Sequence, residues 1–114
     1  MSKTNVSRCT IPTKKANKNL YVKVKNSSQN LSRQFTINVY DKDSSAKELL
    51  PVYLDDQLTH KDKLNPGAEK VYRVDVSNIE GKVIFEIIQK MGGSGIKVSR
   101  KSKNPTTVEV EIKE

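Results

Sequence analysis

The sequence predicts an all-β protein, an antiparallel sandwich of about seven strands. Three observations lead to this fold. Apolar residues recur at every second position in short runs, turn residues separate the runs, and no stretch carries apolar residues at helical spacing. A chain of 114 residues is long enough for one hydrophobic core and too short for two. A six-stranded barrel is the alternative architecture.

Seven runs are candidate strands, and most of them alternate between apolar and polar side chains. In the first run Leu20, Val22 and Val24 share one face, which is typical of a half-buried strand. The fifth run is apolar on both faces, which indicates a central strand. In chain order the runs are NLYVKVKN (19–26), QFTINVY (34–40), ELLPVYL (48–54), KVYRVDV (70–76), KVIFEIIQK (82–90), GIKVSRK (95–101) and TTVEVEIK (106–113).

Two prolines mark changes of chain direction between these runs. Pro51 removes a backbone donor, so the run that contains it is predicted at a sheet edge or a bulge. Pro66 fixes φ and Gly67 tolerates a positive φ, and the pair favours a type II turn that leads into the next strand. The segment SSAKELL (44–50) leaves room for one helical turn.

Three segments resemble immunoglobulin-like domains of bacterial surface and adhesion proteins, including the CARDB type. They are YVKVKNSS (21–28), INVYD (37–41) and LNPGAEKVYRVDV (64–76), and the resemblance covers most of residues 19–114. It implies an immunoglobulin-like order of strands, although a jelly-roll-like order fits the same alternation. It also implies a role in protein–protein interaction at a cell surface.

Residues 1–18 are interpreted as a flexible basic arm in front of the β domain of residues 19–114. The arm has no acidic residue and supplies five of the eight net positive charges of the chain. It also contains Cys9, the single cysteine, which excludes a disulfide within the chain. The arm residues predicted to bind a partner are Lys3, Arg8, Cys9, Lys14, Lys15 and Lys18.

No group of residues predicts catalysis, a cofactor or a metal ion. His60, the single histidine, lies in a charged segment without partners, so a solvated loop position is favoured over general-base catalysis. The acidic segments YDKDSS (40–45) and YLDDQ (53–57) lack the other ligands of a calcium loop and are interpreted as turns. MGGSGIK (91–97) lacks the lysine–hydroxyl pair and the helix of a phosphate loop, and is interpreted as a hairpin connection.

These observations favour a non-enzymatic structural or interaction protein. The specific hypothesis is a self-associating subunit or accessory of a bacterial surface assembly. The alternating segment NVSRCTI (5–11) of the arm would add to an exposed sheet edge of a second copy, where Cys9 is placed to cross-link neighbours. Its partner is therefore another copy or another protein.

The alternative function is nucleic-acid binding through the arm and a basic patch at residues 97–103. The patch residues are Lys97, Arg100, Lys101 and Lys103. The N-terminal segment lacks the apolar stretch of a secretory signal, and no run approaches the roughly 20 apolar residues of a membrane span. These observations leave three localisations open: a cytoplasmic protein, one that reaches the surface by a non-classical route, and one whose leader has been removed.

Overall fold

The computed structural model describes residues 4–13, 18–90, 96–100 and 107–112, and these residues form strands, turns and loops without a helix. None of them therefore belongs to a helix that could cross a membrane. Within this part of the chain there are ten strands. They are β1 (Thr4–Pro12), β2 (Asn19–Asn26), β3 (Arg33–Asp41), β4 (Val52–Leu54), β5 (Gln57–Leu58), β6 (Lys61–Leu64), β7 (Glu69–Asp75), β8 (Lys82–Lys90), β9 (Ile96–Arg100) and β10 (Thr107–Ile112).

The strands form two sheets. Sheet A has the order β1-β8-β3-β6, and sheet B has the order β5-β4-β7-β2-β10-β9. Neighbouring strands are antiparallel, except that β2 and β10 run parallel. The all-β, two-sheet prediction is confirmed. The described strands nevertheless exceed the predicted seven, and the parallel pair departs from a purely antiparallel arrangement.

Alternation along the strands places one face of each sheet in a shared core. Val22 and Val24 of β2, in sheet B, are fully buried, as are Ile37 of β3 and Phe85 of β8, in sheet A. Their side chains belong to one continuous cluster that takes residues from both sheets. Burial of a large aliphatic or aromatic side chain contributes about 1.5–3 kcal/mol relative to exposure, so this cluster supplies most of the driving force for folding.

Each of the seven predicted runs contains a strand, and three further strands lie outside them. β5 and β6 fall in the polar connection between the third and fourth runs. Both residues of β5 are exposed, and β6 buries only Leu64 among its four residues. Edge strands with so little buried surface carry no apolar alternation, so the sequence does not indicate them.

β1 corrects the interpretation of residues 1–18 as a flexible arm. Residues 4–12 pair with β8 along their whole length, and Ile11 is only 2% exposed. Thr13 extends the attachment, because its backbone N–H donates to the Gly81 carbonyl at 3.1 Å and its Oγ1 donates to the same oxygen at 2.8 Å. The sequence predicted a strand for NVSRCTI only on a second copy, and its pairing within the chain was missed because the inward positions Asn5 and Ser7 are polar and weaken the apolar alternation.

Both prolines lie where the chain changes sheets. Leu49 bridges to Tyr40 of sheet A, whereas Val52 pairs with β7 in sheet B, so Pro51 lies at a crossover. The edge of sheet B on that side is β5 rather than β4. The SSAKELL segment forms turns and a bridge, not a helical turn. Gly67 has φ of 74°, and the Ala68 N–H donates to the Asn65 carbonyl at 2.9 Å, which confirms the type II turn.

Candidate interaction site

The β1–β8 seam, meaning the nine paired positions of β1 and β8, is the candidate interaction site. The register runs from Thr4 opposite Lys90 to Pro12 opposite Lys82. β1 is the first strand of the chain and also the outermost strand of sheet A. β8, the strand that it covers, is the most apolar run of the sequence.

On the inward side of the seam, β1 covers part of the hydrophobic core. Ile11 lies opposite Val83, and Cys9 lies opposite Phe85 and packs against the core cluster. Departure of β1 would expose these β8 side chains and leave the backbone donors and acceptors on the β1 side of β8 unpaired. An exposed apolar strand edge readily pairs with another extended segment. β8 therefore requires a strand in this position.

On the outward side of the seam, one ion pair among the described side chains connects the two strands. The Arg8 Nε atom donates to Glu86 Oε2 at 2.6 Å, and Asn38 Nδ2 of β3 donates to Glu86 Oε1 at 3.3 Å. The Glu86 side chain is 11% exposed and that of Arg8 is 58% exposed. The hydrogen bond to Glu86, followed by the charge of that carboxylate, raises the pKa of Arg8 above its ordinary value. The pair therefore fixes the register of β1 at its midpoint.

Sequence reasoning identified Arg8 but not Glu86. The available signal was a single charge, at an outward position, inside the otherwise apolar run KVIFEIIQK. Such an isolated charge requires a partner on a neighbouring strand, because an unpaired buried carboxylate is costly. Identifying that partner as Arg8 required the position of β1, which the sequence did not reveal.

Of the other arm residues predicted to bind a partner, the structure describes Lys18 and Cys9. Lys18 is exposed, and its carbonyl accepts from the Val76 N–H at 2.9 Å. Cys9 points inward and is half-buried, which is a correction to its predicted role, because a thiol facing Phe85 within the chain is not placed to cross-link neighbours. Lys3, Lys14 and Lys15 lie outside the described residues.

The predicted basic patch is only partly described. Lys97 and Arg100 lie on β9, and the register places Lys97 opposite Glu111 of β10. Lys101 and Lys103 lie outside the described residues, as do residues 91–95 of the glycine-rich segment. The structure thus brings two patch residues onto one edge strand, beside a strand that carries two glutamates.

The residues considered for catalysis or calcium binding take part in turns and backbone contacts. His60 is half-buried, and its Nδ1 atom lies 3.0 Å from the Ile37 carbonyl oxygen, so it is not a solvated loop residue. Asp55 and Asp56 both have positive φ and form the turn between β4 and β5. Asp41 Oδ1 accepts from the Asp43 N–H at 3.0 Å. Across the described ranges, no three His, Cys, Asp or Glu residues are grouped as metal ligands.

No family model, no curated protein and no solved structure matches this chain.

Proposed function

We propose that this chain is a non-enzymatic interaction protein that self-associates by exchanging β1 between copies. In the exchanged form, β1 of one copy pairs with β8 of another in the register of the β1–β8 seam. The observation that carries the proposal is the position of β1. It is the first of the described strands, outermost in sheet A, and pairs along its full length with the most apolar strand.

The contacts of β1 are the same in the closed and in the exchanged form. The balance between the two forms therefore depends on the six-residue connection to β2 and on protein concentration. A tethered strand competes at an effective concentration in the millimolar range. We therefore expect a monomer in dilute solution, and exchange at high concentration or when mild denaturant releases β1.

The geometry of exchange determines the product. Two copies that donate β1 to each other form a closed dimer, whereas donation from each copy to the next is a heterologous contact that propagates into a chain. The resemblance of residues 19–114 to immunoglobulin-like bacterial surface domains supports the second outcome, a subunit or accessory of a surface assembly.

Charge favours exchange over simple edge-to-edge pairing of sheet A. The opposite edge of this sheet is β6, which is four residues long and carries Lys61 and Lys63 on its exposed side. Pairing of an intact β1 edge with β6 of another copy would bring Arg8 close to these lysines. Short, lysine-bearing edge strands oppose such pairing.

Cysteine pairs across the seam test the proposal. Val6 lies opposite Ile88, and both side chains point outward. One protein would carry Val6→Cys and the other Ile88→Cys, both with Cys9→Ser. After the two are mixed at high concentration in mild denaturant, returned to buffer and oxidised, we expect a disulfide-linked dimer of the two proteins on a non-reducing gel, because the two thiols meet only in an exchanged seam.

The control replaces the Ile88→Cys protein with a Lys25→Cys, Cys9→Ser protein. Lys25 is exposed on sheet B, away from the seam, so cross-linking should fall to the level of random collision. Exchange is refuted if the Val6–Ile88 mixture gives no more dimer than this control. A double variant with both cysteines in one chain, oxidised as a dilute monomer, should stay monomeric at any concentration.

Removing the ion pair of the seam should increase the rate of strand exchange but leave the exchanged fraction at equilibrium nearly unchanged. Arg8→Ala removes a contact that both forms contain, so the exchanged fraction should change less than twofold. The strand must leave β8 before it exchanges, however, so the loss of this contact should speed exchange, although solvent screening of the exposed Arg8 keeps the acceleration modest. The measurement is the rate of dimer formation in the mixing assay, with Lys25→Ala as the charge-matched control. Unchanged exchange kinetics would exclude the Arg8–Glu86 pair as the outward attachment of β1.

A further inference from the structure

The two outer faces of the protein differ in charge. The outer face of sheet A, meaning the outward positions of β1, β8, β3 and β6, has four cations and one carboxylate among its described side chains. The cations are Arg8, Lys61, Lys63 and Lys82, and the carboxylate is Glu86. Since Glu86 is paired with Arg8, the rest of this face is cationic.

The described side chains on the outer face of sheet B are balanced by contrast. Lys23 Nζ lies 3.3 Å from Glu69 Oε1 and 3.9 Å from Glu109 Oε1, and an Arg73 nitrogen lies 3.5 Å from Asp56 Oδ1. Lys23 thus has carboxylates from both neighbouring strands beside it, and the register places Lys25 opposite Glu69 and Glu111. No described carboxylate forms a salt bridge with Lys61 or Lys63 on sheet A.

The two unpaired lysines border a shallow groove on sheet A. The groove has a volume of about 410 Å³ and is lined by Gln34, Phe35, Thr36, Lys61, Asp62, Lys63 and Ile88. The Asp62 carboxylate is only 18% exposed, because it accepts from Tyr72 and Lys70. Lys61 lies opposite Thr36, and Lys63 lies opposite Gln34. Two ammonium groups therefore flank a hydroxyl and a carboxamide, all of which can donate hydrogen bonds to anionic oxygens.

We propose that the outer face of sheet A binds a sulfated polysaccharide along the β6–β3 groove. Complementary charge supplies the attraction, and the binding should weaken with salt because it rests on ion pairs exposed to water. The proposal does not depend on strand exchange, since Arg8 completes the same face whichever copy supplies β1.

The aromatic residues favour a polysaccharide over a single-stranded nucleic acid. Proteins that bind single strands stack bases on exposed aromatic rings. On sheet A, the outward ring of Tyr40 has the Lys47 ammonium 5.9 Å from its centroid. Tyr21, the exposed tyrosine, lies instead on the outer face of sheet B. The cationic face thus lacks free stacking platforms among its described residues.

Heparin affinity of matched variants tests this surface. Lys61→Gln with Lys63→Gln should elute from a heparin column at lower salt than the parent protein. The slope of the logarithm of the heparin-binding constant against the logarithm of salt concentration should also become shallower by about two, one for each lysine removed. Lys23→Gln with Lys25→Gln removes the same charge from sheet B and should leave that slope within about half a unit of the parent value. Circular dichroism would verify that both variants fold.

The extent of lysine acetylation in the unaltered protein, with and without heparin, gives an independent measurement. Bound heparin should protect Lys61 and Lys63 from acetylation and leave Lys25 reactive. Equal losses of heparin affinity in the two double variants, or no loss in the sheet A variant, would overturn the proposal. So would tighter binding of a single-stranded thymidine oligonucleotide than of heparin at equal ionic strength, because the sheet A face would then be a nucleic-acid surface.

Discussion

Replacing Asn26 with alanine is expected to lower the free energy of unfolding by about 3 kcal/mol, because the buried Leu64 carbonyl and the part-buried Leu31 carbonyl lose a donor and the Ser28 N–H loses its acceptor. Asn26, the last residue of β2, is fully buried. Its Nδ2 atom donates to the carbonyl oxygens of Leu31 at 2.7 Å, Leu64 at 3.1 Å and Asn65 at 3.3 Å. Its Oδ1 atom accepts from the Ser28 N–H at 3.0 Å.

These bonds join segments that are distant in the sequence. The Asn26 carboxamide connects the end of β2, the loop that follows it and the corner that precedes β7. Backbone bonds reinforce the junction, since the Asn26 N–H donates to the Ala68 carbonyl at 2.9 Å and the Gly67 N–H donates to the Asn26 carbonyl at 3.0 Å. A cavity at this position therefore loosens the loop and the type II turn together.

Urea denaturation monitored by circular dichroism would measure the effect of Asn26→Ala. Asn26→Asp should be at least as damaging, since a carboxylate keeps the volume but faces carbonyl oxygens that need a donor. Asn30→Ala is the control, because Asn30 is exposed in the same loop, and it should change stability by less than about 0.5 kcal/mol. A loss below 1 kcal/mol for both Asn26 variants would show that water replaces the carboxamide.

The fold was predictable where burial follows a local pattern. β2, β3, β7, β8 and β10 were located because side chains alternate between core and surface along each strand. The VKVKNSS and NPG segments were also noted, but as separate signals. Their contact through Asn26 spans about 40 residues, and periodicity contains no information on which turn a buried carboxamide will reach.

The candidate site was less predictable, because it depends on which strand fills the edge beside β8. The basic N-terminal segment was interpreted as a flexible arm that binds a partner, although Arg8 is paired with Glu86 of the same chain, 78 positions further along. Lys61 and Lys63 lay in a segment that was interpreted as a polar connection. Only the antiparallel pairing of β6 with β3 places both lysines on the same face as Thr36.

Replacing Tyr72 with phenylalanine is expected to remove about 2 kcal/mol of stability near neutral pH, because it breaks a hydrogen bond to a charged group. Tyr72 is fully buried, with its ring edge-on to Phe35 at 6.3 Å between centroids. Its hydroxyl donates to Asp62 Oδ2 at 2.6 Å. Asp62 also accepts from the Lys63 N–H at 2.8 Å and from Lys70 Nζ at 3.2 Å. The cluster connects β6 of sheet A to β7 of sheet B.

Protonation of Asp62 lowers the stability of the protein at acidic pH, and ionisation of Tyr72 lowers it at alkaline pH. Burial alone would raise the pKa of Asp62, but the hydrogen bonds from Tyr72, Lys63 and Lys70 outweigh it and hold the pKa below its ordinary value. The contribution of Asp62 is therefore present above its unfolded pKa of about 3.9 and is lost as the pH falls through the lower folded value. Burial, followed by the hydrogen bond to Asp62 and its charge, raises the pKa of Tyr72. Its contribution is present below about pH 10 and is lost as the pH rises further.

Urea denaturation between pH 3 and 11 would separate these effects. The stability difference between the parent protein and Tyr72→Phe should be largest between about pH 5 and 9, and should shrink by up to about 1.4 kcal/mol per pH unit above pH 10. Asp62→Asn should remove the acid-side loss that Asp62 causes, because a carboxamide does not ionise. Tyr21→Phe, which alters an exposed ring on sheet B, should leave the profile unchanged. A difference between parent and Tyr72→Phe that stays constant from pH 3 to 11 would mean that the contribution of the Tyr72 hydroxyl does not depend on the charge of Asp62.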